Sequence, residues 1–293
     1  MLPKSPLSKR AAILVLSFLF LGIAASYARD PDQKITFKTI GDTQLQLHVF
    51  EPANHQKSEK RPAIVFFFGG GWAKGGPSHF YSQSEYLANR GIVAICADYR
   101  TRNVHGTTPA ECVKDGKSAM RWVRSNAAKL GIDPNRIIAG GGSAGGHIAA
   151  AIALISGFNE ETDDLEVSPR PAALVLFNPV FDNGPEGFGH SVVEAYWQDF
   201  SPLHNITADA PPTLVLLGTD DQLIPVSTAE LYRIKMKQKG ARCDLILYEG
   251  QKHGFFNKGN AEHHYKTIIA MDRFLADLGY LQGEPTLSPP SQK

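Results

Sequence analysis

The chain has 293 residues, 43% of them hydrophobic and 20% charged, and a net charge of +1 at pH 7. Such a length suits one large domain that buries its own core without metals or disulfides, and so even a charge balance gives no basis for a nucleic-acid or anionic-membrane partner. Three cysteines, Cys96, Cys112 and Cys243, are too few and too scattered for a disulfide framework or a zinc site, so mostly free, buried thiols with at most one disulfide are expected.

The first segment reads as an export signal. Lys4, Lys9 and Arg10 precede an apolar run from Ala11 to about Ala25, and Ser26-Tyr27-Ala28 supplies the small residues of a cleavage site. An uncleaved anchor is the alternative, but the run is shorter than the roughly 20 residues of a membrane-spanning helix. Cleavage after Ala28 and a periplasmic or secreted destination are therefore expected. Loss of residues 1–28 removes three basic and no acidic residues, which moves the net charge from +1 to −2.

Beyond it, Ile35 to Thr39 and Gln44 to Phe50 alternate around the turn at Gly41-Asp42 and predict a two-strand opening. The run Ala63 to Phe68 is apolar throughout, as in a parallel strand covered on both faces. Further runs at Ile92 to Ala97, Arg136 to Ala139, Ala172 to Phe177, Thr213 to Leu217 and Asp244 to Tyr248 predict strands. Between and after them, Tyr81 to Arg90, Ala110 to Leu130, Ala144 to Ser156, Ser227 to Lys239 and Ala261 to Leu278 predict helices. Alternation of this kind implies an α/β fold, a mainly parallel eight-stranded twisted sheet with helices on both faces, and such sheets carry their sites at the carboxyl ends of strands. Residues 29–282 form one domain on this reading, with an insertion at 178–210 and a disordered proline- and serine-rich tail at 283–293. The glycine-rich segment 69–79 and the insertion are long, irregular connections of the kind that usually carry function.

The chemistry centres on Gly141-Gly142-Ser143-Ala144-Gly145, a G-x-S-x-G string between a strand and a helix. That pattern suits a nucleophile elbow, whose tight turn leaves no room for side chains at 141 and 145. Ser143 is the candidate nucleophile, and a serine hydroxyl needs a base, which in turn needs an acid to orient it. Of ten histidines, His48, His55, His79 and His105 precede the elbow, His263 and His264 fall in a predicted helix and read as surface residues, and His190 and His204 lie in the insertion. His147 is carried behind the serine by its helix and reads as structural support. His253 remains, on the loop after the last strand, as the general base. Asp220 and Asp221 stand at the end of the strand Thr213 to Leu217, with Asp182 after the preceding strand as a third option. Spacing does not separate them, and Asp221 ranks first, then Asp220, then Asp182. Gly70 and Gly71, in Phe68-Gly69-Gly70-Gly71-Trp72, and Ala144 are the candidate N–H donors of an oxyanion hole.

Taken together, Phe68-Gly69-Gly70-Gly71-Trp72, Asp98-Tyr99-Arg100, Gly142-Ser143-Ala144-Gly145-Gly146, Gly218-Thr219-Asp220-Asp221-Gln222-Leu223-Ile224-Pro225 and His253-Gly254-Phe255 carry a resemblance. Over about residues 45 to 280 the chain resembles the α/β-hydrolase superfamily, in particular the small esterases related to hormone-sensitive lipase and to bacterial acetylxylan and feruloyl esterases (the BD-FAE-like group). The resemblance implies a serine carboxylesterase, puts the acid at Asp221, and implies no cofactor. Phe68 departs from the family's H-G-G-G-W pattern, which should alter loop support more than chemistry. The insertion is short for a lipase lid, which implies an open site that Trp72, Phe188, Tyr196, Trp197 and Phe200 would line, although aromatics in such loops are as often local packing. Export and a short lid favour acylated plant or algal polysaccharide fragments as substrates, with acetate as the acyl group and small lipidic or xenobiotic esters as the alternatives.

Three rivals compete. Gly140-Gly141-Gly142-Ser143-Ala144-Gly145 also satisfies the dinucleotide fingerprint G-x-G-x-x-G, but the acidic residues that should end the following strand, Glu160 to Asp164, sit in a polar stretch before it. A hydrolase-like binding protein without catalysis is opposed by the complete set of triad parts. A serine peptidase of the same fold usually has extra domains to confine a peptide.

Overall fold

A computed structural model of the chain describes residues 29–290; the expected signal segment and residues 291–293 lie outside the described residues. Eight strands form one sheet in the order β1-β2-β4-β3-β5-β6-β7-β8. The strands are β1 (Gln33–Ile40), β2 (Thr43–Phe50), β3 (Arg61–Phe67), β4 (Val93–Ala97), β5 (Ile132–Gly142), β6 (Leu174–Phe177), β7 (Thr213–Gly218) and β8 (Cys243–Tyr248). β1 and β2 form the expected antiparallel hairpin and β2 runs antiparallel to β4, while β4, β3, β5, β6, β7 and β8 run parallel.

The helices are α1 (Tyr81–Asn89), α2 (Arg102–His105), α3 (Pro109–Ser125), α4 (Ala127–Leu130), α5 (Ala144–Leu154), α6 (His190–Val193), α7 (Trp197–Phe200), α8 (Val226–Gln238) and α9 (Ala261–Asp277). They divide between the two faces as the strand pleat requires. Ala63, Val65 and Phe67 point into a core shared with Val113 and Met120 of α3, Ile148 and Ile152 of α5 and Tyr232 of α8. Ile64 and Phe66 point the other way, onto Leu87 of α1 and Ile268, Met271 and Leu275 of α9. An unbroken apolar run on β3 thus records burial on both sides.

Several boundaries shift by one to four residues, and two differences have a clear physical cause. β5 extends to Gly142 where periodicity ended it at Ala139, because Gly140, Gly141 and Gly142 stay in register with Val175, Leu176 and Phe177 of β6 although they present no side chain to a pattern. The predicted helix Ala110 to Leu130 breaks at Asn126, which leaves the helical conformation at φ −104° and ψ 18° while both its backbone N–H and its side-chain amide donate to the Trp122 carbonyl. At its other end Thr108 and Glu111 form a capping box around Pro109.

The three cysteines are free, Cys96 and Cys112 buried and Cys243 half-buried. The 178–210 insertion contains only short helical turns. Within the described residues the tail has no helix or strand, but the Gly283 carbonyl accepts from Arg90 and Leu287 packs against the α1/α9 core. Among the described residues, no helix is long and apolar enough to cross a membrane and no group of three metal-ligating side chains comes together.

Candidate active site

Five adjacent parallel strands deliver the site at their carboxyl ends: the glycine loop after β3, Ser143 after β5, Asn178 after β6, Asp221 after β7 and His253 after β8. At the elbow Ser143 takes φ 55° and ψ −121°, a conformation that costs an L-residue energy and persists where its surroundings fix it. Its N–H donates to the Phe177 carbonyl, and its own carbonyl accepts from the N–H groups of His147 and Val180. The expected steric need for glycine is borne out. A Cβ at Gly145 would lie 2.1 Å from the Phe67 carbonyl oxygen and 2.3 Å from that of Phe68, and one at Gly141 would lie 2.4 Å from the Gly145 oxygen.

His253 Nε2 lies 2.9 Å from Ser143 Oγ, and His253 Nδ1 lies 2.7 Å from Asp221 Oδ2. The Asp221 side chain is fully buried, whereas that of His253 keeps 23% exposure. The other carboxylate oxygen, Oδ1, accepts from the backbone N–H groups of Leu223 and Ile224 at 2.9 and 3.0 Å, which fixes the orientation of the group. The acid and base loops are tied to each other as well. Asp220 N–H donates to the Gln251 carbonyl, Gly250 N–H donates to Thr219 Oγ1, and a Cβ at Gly218 would lie 2.1 Å from the Gln251 oxygen. Of the three carboxylates considered, the structure brings Asp221 to His253. Asp220 is exposed, and Asp182 accepts from Gly184 N–H with His204 3.8 Å away.

The glycine loop crosses over the serine. Gly70 and Gly71 have φ 136° and 62°, and a Cβ at Gly70 would lie 1.9 Å from the Lys74 carbonyl oxygen. Ala144 opens α5, so its N–H has no carbonyl one turn back to bond. The Asp98-Tyr99-Arg100 string supports this loop: the buried Tyr99 hydroxyl donates to the Phe68 carbonyl at 2.7 Å, and its ring stacks on Phe68 at 3.9 Å. Phe68, at the family's histidine position, therefore fills the space under the loop by stacking.

Trp72 is 2% exposed and packs edge-on against His147, with Phe188 and Phe200 beside it, so its ring belongs mainly to the floor of the insertion. Phe188 and Trp197 are half-buried, Trp197 lying edge-on to His204. His147 is fully buried behind the elbow with Nε2 on the Phe200 carbonyl, and burial lowers its pKa to about 4. His264 is not a surface residue as the helix pattern implied; its ring nitrogens bond the Phe256 carbonyl and Ser82 Oγ. Its helix face turns toward the core, which the short pattern around it does not reveal.

Two residues at the site escaped the sequence reading. Asn178, fully buried at φ 34°, accepts from Gly254 N–H through Oδ1 and sets Nδ2 3.4 Å from His253 Nε2. Its only signal was the Asn-Pro pair at a strand end. His79, set aside for preceding the elbow, accepts from Gly69 N–H at 3.0 Å.

The chain matches the BD-FAE family over residues 47–179 and the prolyl oligopeptidase family over residues 177–276. It is similar to the apo form of Thermogutta terrifontis esterase 2, with 40% identity and a TM-score of 0.83 over 86% of this chain and 96% of that one. Structures of the same esterase exist with propionate bound and phosphorylated by paraoxon. Among curated proteins it is 27% identical to a probable isoprenylcysteine alpha-carbonyl methylesterase of Oryza sativa, over 83% of this chain and 63% of that protein. It is 28% identical to an acetylxylan esterase of Xylanibacter ruminicola, over 88% of this chain and 52% of that protein. The chain thus spans between about half and just under two thirds of these curated relatives.

Proposed function

We propose that this chain, which belongs to the α/β-hydrolase esterases of the hormone-sensitive-lipase-like and BD-FAE group, is a serine carboxylesterase acting on esters of short acyl groups, acetyl foremost. The observation that carries the reading is the continuous hydrogen-bonded line from Ser143 Oγ through both ring nitrogens of His253 to the buried Asp221.

On this reading Ser143 Oγ attacks the ester carbonyl carbon while its proton passes to His253 Nε2. The imidazolium so formed is stabilised by Asp221 across the Nδ1–H bond. The carbonyl oxygen becomes an oxyanion held by the N–H groups of Gly70, Gly71 and Ala144, a contribution for which loss of one donor typically costs about 3 to 4 kcal/mol. The alkoxide leaves with the proton from Nε2, and the acyl group stays on Oγ. Water then attacks the acyl carbon, giving its proton to Nε2; the acid leaves, and Oγ recovers the proton.

Support for a short acyl group comes from the propionate- and butyrate-bound forms of the Thermogutta esterase, and support for a carbohydrate alcohol from the acetylxylan esterase among the relatives. The signal-like segment before Arg29 supports export with cleavage after Ala28, which fractionation of its host and N-terminal sequencing test: a chain beginning at Arg29 in the periplasmic or extracellular fraction supports it, and a chain beginning at Met1 in the cytoplasmic fraction contradicts it. Peptide hydrolysis is a second reading, favoured by the prolyl oligopeptidase match over residues 177–276, the segment that holds Asp221 and His253.

The deciding experiment offers the purified protein and its Ser143→Ala variant aryl esters from acetyl to dodecanoyl, acetylated xylo-oligosaccharides, feruloyl esters and peptide anilides. Ser143-dependent turnover greatest between acetyl and butyryl, with acetate released from the oligosaccharides, is expected. A dodecanoyl optimum would contradict the acyl class, absence of acetate release the carbohydrate alcohol, and anilide turnover above ester turnover the esterase reading itself.

A further inference from the structure

The glycine loop raises a mechanical question. Gly70, Gly71, Trp72 and Gly75 all have positive φ, so the loop has no regular ladder of its own, and its internal bonds are turn contacts from Ala73 and Lys74 N–H to the Gly70 carbonyl. Its placement must come from outside. Tyr99 holds one end through the Phe68 carbonyl. At the next residue the Gly69 N–H donates to Nδ1 of His79, a residue of the short helical turn Pro77–Phe80.

Acceptance at Nδ1 leaves the ring proton on Nε2, which donates to Asn257 Oδ1 at 2.7 Å. Asn257 lies on the His253 loop, and its N–H closes a turn onto the carbonyl of Gly254, the residue after the base. The loop is pinned where it passes the nucleophile: a Cβ at Gly69 would lie 3.0 Å from the Gly142 oxygen and 3.3 Å from Ser143 Cβ. The His79 ring is wedged between Phe80 and Phe256, at 4.9 and 5.4 Å. Burial also holds its pKa below the ordinary histidine value, which favours the neutral ring that both bonds require.

We propose that His79 is a positioning residue that joins the glycine loop to the His253 loop, so that the N–H donors and the general base are set around Ser143 as one unit. The proposal rests on the esterase reading and deepens it by naming what aligns the two halves of the site. His79 touches no substrate and exchanges no proton in the reaction.

The test measures kcat and KM on an aryl acetate, inhibition by phenylboronic acid, and thermal stability for the wild type, His79→Ala, His79→Asn, Asn257→Ala and the double alanine variant. The boronate adduct on a serine imitates the tetrahedral intermediate, so its affinity reports the alignment of the site and not merely ground-state binding. His79→Ala and Asn257→Ala are each expected to lower kcat about tenfold, less than complete loss of an oxyanion donor, with KM unchanged within about twofold. Boronate affinity should fall by a similar factor, and the double variant should lose little more than the worse single one, because the two side chains act through one connection. Asn Oδ1 can take the place of His Nδ1, but no Asn atom reaches the place of Nε2, so His79→Asn keeps the Gly69 bond, loses the link to Asn257 and should fall about tenfold in kcat, as Asn257→Ala does.

His79→Ala activity and boronate affinity within twofold of wild type would overturn the proposal, as would losses that multiply in the double variant. Should His79→Ala fail to fold, Asn257→Ala and His79→Asn decide by the same criteria. Ser143→Ala keeps the two readings apart: a wild type without Ser143-dependent turnover overturns both, whereas an active wild type with an equally active His79→Ala overturns this one alone.

Discussion

His253 Nδ1 and Asp221 Oδ2 meet at 2.7 Å, while the second oxygen of the same carboxylate is occupied by two backbone N–H groups, from Leu223 and Ile224. This division of labour predicts what Asp221→Asn will do. The backbone donors keep the amide oxygen at the Oδ1 position and turn the amide NH2 toward His253 Nδ1. The ring must then carry its proton on Nε2, where it cannot accept one from Ser143. A fall in kcat of about 10³- to 10⁴-fold is expected at neutral pH. Asp220→Asn and Asp182→Asn should stay within twofold, and steady-state kinetics on an aryl acetate separates the three.

Gly145 is the tightest point of the elbow, because a Cβ there overlaps two carbonyl oxygens at the end of β3, an interior strand with little freedom to shift. Gly145→Ala should cost about 3 kcal/mol or more, read as a lower denaturation midpoint with an unchanged slope. Gly157, whose added Cβ would meet nothing within 4 Å, is the control; Gly157→Ala should stay within about 0.5 kcal/mol.

These cases show why part of the molecule was legible before its structure. Ser143 and His253 were readable because each needs only the right residue type at the end of the right strand, whereas Asp221 shares its strand end with Asp220 and was singled out by the resemblance; the continuous runs on β3, β6 and β7 announce strands buried on both faces. The extent of β5 was not, since Gly140 to Gly142 pair like any strand residues yet add nothing to a periodicity. His79, Asn178 and Asn257 act through contacts between distant segments, with Asn257 178 residues from its partner His79. No local pattern marks such a contact. The candidate lining aromatics were ambiguous for a related reason: the inward packing of Trp72, on the glycine loop, is decided by His147 and Phe200, from α5 and α7.

Acid sensitivity has an identifiable source. Burial lowers the pKa of His147 to about 4, and burial, helped by Lys34, does the same for His48, against the ordinary value of 6.5. Above pH 6.5 both rings are neutral folded or unfolded and contribute no pH dependence. Between pH 6.5 and 4 the unfolded chain binds protons that the fold refuses, so stability falls as pH falls through that window. For the fully buried His147 the loss is on the order of 3 kcal/mol. His147→Gln, which retains a donor for the Phe200 carbonyl, should flatten that part of the curve in urea titrations at pH 4.5, 5.5 and 7.

Asp115 is the hub of a buried ionic cluster. Its fully buried carboxylate accepts from Lys38 Nζ at 2.7 Å and from Arg100 Nε and Nη2 at 2.8 Å, joining the β1 hairpin to α3 and to the segment after Tyr99. Asp115→Ala leaves two desolvated cations sharing Glu160 as their ion-pair partner among the described residues and should cost about 3 to 5 kcal/mol. Hydrogen exchange should show the loss first in β1, which is held by one neighbouring strand.

Covalent trapping asks whether Ser143 is the nucleophile. The protein is treated with paraoxon, and its intact mass, its labelled peptide and its remaining aryl-acetate turnover are measured beside Ser143→Ala. One diethylphosphoryl group per chain is expected, on the peptide containing Ser143, appearing in step with the loss of turnover and absent from the variant. Turnover that survives in Ser143→Ala, or inactivation with the label on another residue, would contradict that role of Ser143.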